Sequence, residues 1–138
     1  MHEFALAESV IVSAEKVAEE HDLSKIGEIN IRVGELQQMG MEAFELGLET
    51  AMKARGPLAR EARVSISVEK AAFECRACGG SWDFDHIRRT LGDEEAELVH
   101  LLPEAAHAHV RCPECKSSDF EVSKGRGLWL DSVAGETR

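Results

Sequence analysis

Two short cysteine pairs constrain this 138-residue chain more than any other feature. Cys75-Arg76-Ala77-Cys78 and Cys112-Pro113-Glu114-Cys115 share one C-x-x-C spacing. That spacing sets two thiolates on a tight turn, and two such turns facing each other close a tetrahedral site of four sulfurs. Gly79-Gly80 follows the first pair and Lys116-Ser117 the second; both permit a turn, the glycines more readily. Zn(II) is the expected metal, with iron in a rubredoxin-like knuckle as the alternative. Four protein ligands leave no open position, so the metal is expected to be structural. Thirty-three residues separate Cys78 from Cys112, against about 15–20 in the common ribbon spacing. The intervening stretch is no bare loop. Leu91, Leu98, Val99, Leu101 and Leu102 offer apolar surface to pack, and Asp93, Glu94, Glu95 and Glu97 read as a solvated face.

The metal reading depends on the compartment. Glu3 and Glu8 stand where a signal peptide would carry basic and then apolar residues. No apolar run approaches the roughly 20 residues that span a bilayer. The expectation is a cytoplasmic protein with no membrane insertion, whose thiols stay reduced. The cysteines are then metal ligands rather than disulfides. Charge narrows the partners. The chain carries a formal net charge of −10, and residues 71–127 hold seven Lys and Arg against eleven Asp and Glu. Nucleic-acid affinity rests on Lys and Arg, so no nucleic-acid partner is expected.

Outside the cysteine region the hydrophobic period changes three times. Ala7, Val10, Ile11, Ala14, Val17 and Ala18 recur at helical spacing, ending near His21-Asp22. Ile29, Ile31 and Val33 alternate with polar residues in a strand over residues 26–36 that Gly34 brings to a close. Met41, Phe44, Leu48, Ala51 and Met52 return to helical spacing until Arg55-Gly56-Pro57 breaks it, and Val64, Ile66 and Val68 form a second alternating strand. Two strands alone are marginal, so residues 127–133 are expected to return as a third. The fold class is therefore α+β: two helices on a small three-stranded sheet, with an inserted zinc-ribbon-like module. Residues 1–70 with a C-terminal strand in 127–138 form one domain, and residues 71–126 form the other.

The amino terminus carries a second metal motif. A terminal amine, the His2 amide nitrogen and the His2 imidazole can chelate one ion through fused rings, and in-plane nitrogen donors suit Ni(II) or Cu(II). The fourth position is open to the Glu3 amide or carboxylate, to water, or to a more distant donor. His86, His100, His107 and His109 lie in or near the cysteine module. His100 is singled out because Leu98, Val99, Leu101 and Leu102 could fix its direction; His107 and His109 could tune the thiolates. No nucleophile–base pair or phosphate-cradling loop proposes catalysis, so the chain reads as a carrier and not an enzyme. A zinc-ribbon adaptor in a transcription or other protein complex is the competing reading.

Together these pieces resemble a known family. Met1-His2-Glu3 opening an amphipathic helix, then Val33-Gly34-Glu35-Leu36, then the paired C-x-x-C units, then Gly125-Arg126-Gly127 before a final strand, are similar in kind and order to the HypA family of hydrogenase nickel-incorporation proteins. The resemblance covers the whole chain. It implies a nickel metallochaperone with an α/β nickel-binding domain and a zinc domain, delivering Ni(II) to the [NiFe]-hydrogenase large-subunit precursor with the GTPase HypB as partner. It implies nickel at Met1 and His2 and structural zinc at Cys75, Cys78, Cys112 and Cys115. The long gap between cysteine pairs resembles the archaeal-type members, which implies a further nickel ligand at His100.

Overall fold

In the computed structural model, residues 3–37, 39–102, 104 and 106–138 are described. Helix α1 (Glu3–Glu20) buries Ala7, Val10, Ile11, Ala14 and Ala18, the stripe its period predicts. Strand β1 (Leu23–Gly34) starts earlier than the alternation suggested. Leu23, Ile26 and Ile29 are buried at every third residue, and only then does Ile31 and Val33 alternation set in. Helix α2 (Met41–Ala54) buries Phe44, Gly47, Leu48, Ala51 and Met52.

Strand β2 (Arg63–Glu69) is the next element. It runs parallel to β1, since Lys25 meets Glu61, the Ser67 hydroxyl reaches the Ile31 carbonyl, and Glu35 N–H donates to the Glu69 carbonyl, the numbers rising together. The last strand, β6 (Leu128–Thr137), returns to this sheet, whose order is β2-β1-β6. It is antiparallel to β1: Asn30 donates to Ser132 Oγ at 2.8 Å and Arg138 N–H to the Asp22 carbonyl at 2.9 Å. The strand runs beyond the expected end at residue 133. Gly135 permits this, because a Cβ there would lie 2.0 Å from the Lys25 carbonyl oxygen. Arg32 lies over the Trp129 ring at 4.7 Å and pairs with Asp131.

Residues 72–124 form further elements. Strand β3 (Ala72–Cys75), β4 (Ser81–Asp83) and, later, β5 (Phe120–Lys124) make a second sheet of order β4-β3-β5, antiparallel throughout. Between β4 and β5 lie three short helices: α3 (Phe84–Leu91), α4 (Asp93–Leu101) and α5 (Ala106–His109). Asp83 caps α3 by accepting the His86 N–H at 2.9 Å. The core here is aromatic: Phe73 stacks on Trp82 with centroids 5.9 Å apart, and Phe120 meets Trp82 edge-on at 5.3 Å. Leu98, Leu101 and Leu102, expected to pack, are exposed instead. A helix as short as α4 turns one face inward, and Ala96 and Val99 occupy it. The acidic cluster sits at the start of α4, where the helix dipole favours it.

By packing, the chain divides into two units. One comprises Met1–Arg32, Gln38–Ser67 and Leu128–Arg138; the other comprises Val33–Gln37 and Val68–Gly127. No helix among the described residues is long and apolar enough to cross a membrane.

Gly47 sets the approach of α2 to α1. A Cβ there would meet Phe4 Cδ1 at 2.8 Å, Ala7 Cβ at 2.9 Å and the Phe4 Cα at 3.2 Å. Gly→Ala inside a helix normally gains about 0.5–1 kcal/mol. Forcing a methyl into a filled contact costs about 1–3 kcal/mol. The clash wins, so Gly47→Ala should lower stability by about 1 kcal/mol. Thermal unfolding followed by circular dichroism checks it, and a raised midpoint would contradict the close helix contact.

Candidate metal centre

The two cysteine turns have the same construction. In each, the first cysteine's carbonyl accepts from the N–H four residues on: Gly79 to Cys75 at 3.0 Å, Lys116 to Cys112 at 3.0 Å. In each, its own N–H donates to the carbonyl five residues on, Gly80 or Ser117. Each turn needs a left-handed residue at that fourth position, with φ of 77° at Gly79 and 66° at Lys116. Glycine takes that conformation freely, and Lys116 takes it against its steric preference. Backbone N–H groups point at sulfur: Gly80 at Cys78 Sγ, 3.4 Å, and Cys115 at Cys112 Sγ, 3.5 Å.

The four sulfurs converge to within 4.8 Å of one another. Cys75 and Cys115 lie 3.5 Å apart, Cys78 and Cys112 3.6 Å apart. A tetrahedron with Zn–S of about 2.3 Å has edges near ~3.8 Å, so the cluster fits such an ion. Cys75 and Cys112 are buried, while Cys78 and Cys115 face outward. Arg76 fastens the first turn to β5 through Asp119 and Glu121 at 3.0 and 3.5 Å.

Crowding four thiols separates their acidities. The Cys115 N–H on its sulfur leads in pulling Cys112 down, against desolvation, to about 7. At Cys78 the Gly80 N–H also pulls down, but Cys112, desolvation, Cys115 and Cys75 together push it up to about 12. Cys115 likewise has a lowering N–H from Ser117 that is outweighed, chiefly by Cys75, so its pKa is raised. A divalent cation relieves the crowding that keeps these protons on.

The histidines resolve differently. His107 lies on the Phe120 ring at 4.4 Å and its Nδ1 donates to the Ser118 carbonyl; His109 Nδ1 sits 3.8 Å from Glu95. Neither joins the sulfur cluster. His86 Nε2 is 3.4 Å from the Thr90 hydroxyl. His100, on α4, is half-buried beside Phe84, with its Nε2 2.9 Å from the Glu35 carbonyl. A carbonyl only accepts, so Nε2 carries the proton, and in the neutral ring Nδ1 keeps the lone pair. That nitrogen faces Glu97 Oε1 at 3.6 Å. The Glu35 role was not evident beforehand; the Val33-Gly34-Glu35-Leu36 motif signalled importance without showing what it touches. Gly34 N–H donates to the Gly127 carbonyl and Leu36 N–H to the Gly125 carbonyl, so the two glycine motifs of the sequence meet.

Met1 and His2 lie outside the described residues. Glu3 is held, its carboxylate accepting the Gly40 N–H at 3.1 Å ahead of α2.

A family model described as hydrogenase/urease nickel incorporation, metallochaperone, hypA matches residues 1–135. Among curated relatives, a hydrogenase maturation factor HypA from Thermococcus sibiricus is 37% identical over 99% of this chain and 97% of its own length. One from Pyrococcus abyssi is 36% identical over 96% and 94%. The solution structure of the Ni metallochaperone HypA from Helicobacter pylori shares the fold, with a TM-score of 0.65 at 21% identity and full coverage of both chains. The chain belongs to the HypA family of nickel-incorporation metallochaperones for hydrogenase maturation.

Proposed function

We propose that this chain takes up Ni(II) at the Met1 amine and at the His2 amide and imidazole, with His100 as a further ligand, and hands it to the [NiFe]-hydrogenase large-subunit precursor in concert with the GTPase HypB. Cys75, Cys78, Cys112 and Cys115 hold Zn(II), which supplies a fixed tetrahedral cross-link and no reaction. Residues 1–70 with the C-terminal strand form the nickel-binding domain, and residues 71–126 the zinc-binding domain. The protein works in the cytoplasm as a carrier without turnover.

The observation that carries the nickel assignment is the His100 ring. The Glu35 carbonyl fixes its tautomer, as an outer partner fixes a ligating histidine. The free lone pair then faces a carboxylate, an arrangement that a cation relieves. The zinc assignment rests on the sulfur cluster and its N–H donors.

Zinc uptake must displace protons, and the thiol acidities set how many. Neighbouring thiols push Cys78 up to about 12 and raise Cys115, whereas the Cys115 N–H pulls Cys112 down to about 7. Above pH 7 Cys112 has already lost its proton; below it, one more proton must leave per zinc. Affinity should therefore fall with falling pH, and the protons released per zinc should rise by about one across pH 7. Calorimetry in buffers of different ionisation enthalpy reads this directly. Cys112→Ala should lose zinc and the ordered signal of residues 71–127 while the first unit keeps its helices; unfolding of the whole chain would contradict two modules.

Nickel is tested apart from zinc by equilibrium dialysis of untagged protein. His100→Ala should weaken nickel binding about 10–100-fold or more, since even outer-shell lesions reach that range, with zinc content unchanged. Unchanged nickel affinity would remove His100 from the site.

Adding one glycine before Met1 turns the chelating amine into an amide with every native side chain retained. Tight nickel binding should then be lost as fully as in His2→Ala, with zinc and fold intact. A glycine-extended chain that binds nickel normally would refute the terminal site.

A further inference from the structure

We propose that the pocket between helix α3, the end of α5 and the second cysteine turn docks a short acidic segment of a protein partner, with a carboxylate on Arg111 and Lys116 and an apolar side chain on the wall beside them. The pocket is a cavity of about 340 Å³, near the lower bound for a ligand site. Ile87, Leu91, Val110 and Pro113 give it apolar walls. Its ionisable lining is His86, His109, Arg111 and Lys116. Among the described residues no Asp or Glu lines it, in a chain of net charge −10. A concave apolar site with converging groups of one sign selects a ligand of the opposite sign that also carries apolar surface.

The two fixed cations are available. Arg76 and Arg126 of the same unit pair with Asp119 and Glu104, whereas among the described residues neither Arg111 nor Lys116 makes an ion pair. Glu114, in the same turn, is directed elsewhere, its Oε2 4.0 Å from Cys78 Sγ. Glu95 lies 3.8 Å from His109 Nδ1, which leaves the His109 Nε2 for a ligand. His86 Nε2 is 3.4 Å from the Thr90 hydroxyl, and Thr90 also lines the pocket.

Lys116 supplies an independent observation. It holds the left-handed position of its turn, φ 66°, where the first turn has Gly79 at φ 77°. A Cβ on Gly79 would meet nothing within 4 Å, so the first turn takes glycine for its backbone conformation alone. The second turn keeps a lysine there against the steric preference. Strain of this kind is held where the side chain has work to do, and this side chain borders the pocket. An extended polyanion fits less well. Residues 71–127 carry seven Lys and Arg against eleven Asp and Glu, so a nucleic-acid strand would meet a unit of net negative charge. A short segment with one or two carboxylates beside a Leu matches both the volume and the sign. No proposed nickel ligand takes part, so this docking stands or falls apart from nickel binding.

The test is fluorescence anisotropy of the full zinc-loaded chain with the labelled peptide acetyl-Glu-Asp-Leu-Glu-Asp-Leu-amide. Saturable binding is expected, weakened by salt and lost when Asn and Gln replace the acids. Lys116→Gly keeps the left-handed turn and removes the ammonium. It should hold fold and zinc at least as well and weaken the peptide about threefold, Arg111→Gln should do the same, and the two together about tenfold. Thr90→Glu, on α3 and away from the cysteine turn, sets a carboxylate at the pocket and should abolish binding with helix content and zinc unchanged. Amide resonances of Thr90, His109 and Lys116 should shift on titration. Failure to saturate, or binding untouched by Lys116→Gly and Thr90→Glu, overturns the proposal. So does displacement of the peptide by an equal concentration of inorganic phosphate, which marks a free-anion site, or tighter binding of an RNA oligonucleotide.

Discussion

The backbones of Gly34–Leu36 and Gly125–Gly127 come together so closely that side chains are shut out, and the cysteine-bearing unit depends on that crossing. A Cβ on Gly34 would lie 2.3 Å from Gly125, and one on Gly125, whose φ is 95°, would lie 2.4 Å from the Ala71 Cα. Three chain segments thus meet within hydrogen-bond reach. Glu35 accepts the Ala71 N–H at 2.7 Å, Glu69 accepts the Gly125 N–H, and Gln37 accepts the Gly127 N–H at 3.0 Å. Residues 71 and 127 are the two ends of a long excursion. Holding its ends together removes the loop-closure cost that would otherwise fall on its strands and knuckles.

Within that excursion, metal chemistry and backbone geometry reinforce each other. Each knuckle presents its own N–H groups to sulfur, which favours the thiolate, while neighbouring thiols disfavour it. The resulting split, with Cys112 near 7 and Cys78 near 12, belongs to four sulfurs packed at 3.5–3.6 Å contacts with too many protons among them. Four tetrahedral thiolates around one dication have no such conflict. The geometry of the two turns is thus compatible with a bound ion.

Much of this was legible from periodicity and spacing, for reasons that also mark where reading stopped. The knuckles could be read because their geometry is local: four residues and a turn. Helices α1 and α2 could be read because their buried stripes follow one period. The return of the final strand to the first sheet could be expected from the marginality of two strands, yet its length could not. Ala134-Gly135-Glu136 has no alternation, and only contact with Lys25 shows why glycine is wanted. Strands β3 and β4 are too short to carry a period, and the register Phe73 opposite Trp82 is set by aromatic packing over distance. The exposed Leu98, Leu101 and Leu102 show the limit of counting apolar residues, since a nine-residue helix has room for one buried face.

The same long-range logic ties the sulfur cluster to His100. Val99 and Ala96, which seat α4, belong to one buried cluster with Cys75, Cys112, Phe84 and Phe120. His100 leaves that cluster from the adjacent position, its ring against Phe84 and its Nε2–H on the Glu35 carbonyl. Nothing covalent holds α4 to the knuckles; packing does, and packing in so small a core depends on whatever cross-links it. On the proposed reading, a metal in the sulfur site therefore acts on nickel without touching it. It stiffens the core that aims His100, so the structural ion and the cargo ligand are coupled through Val99 and Phe84 rather than through charge.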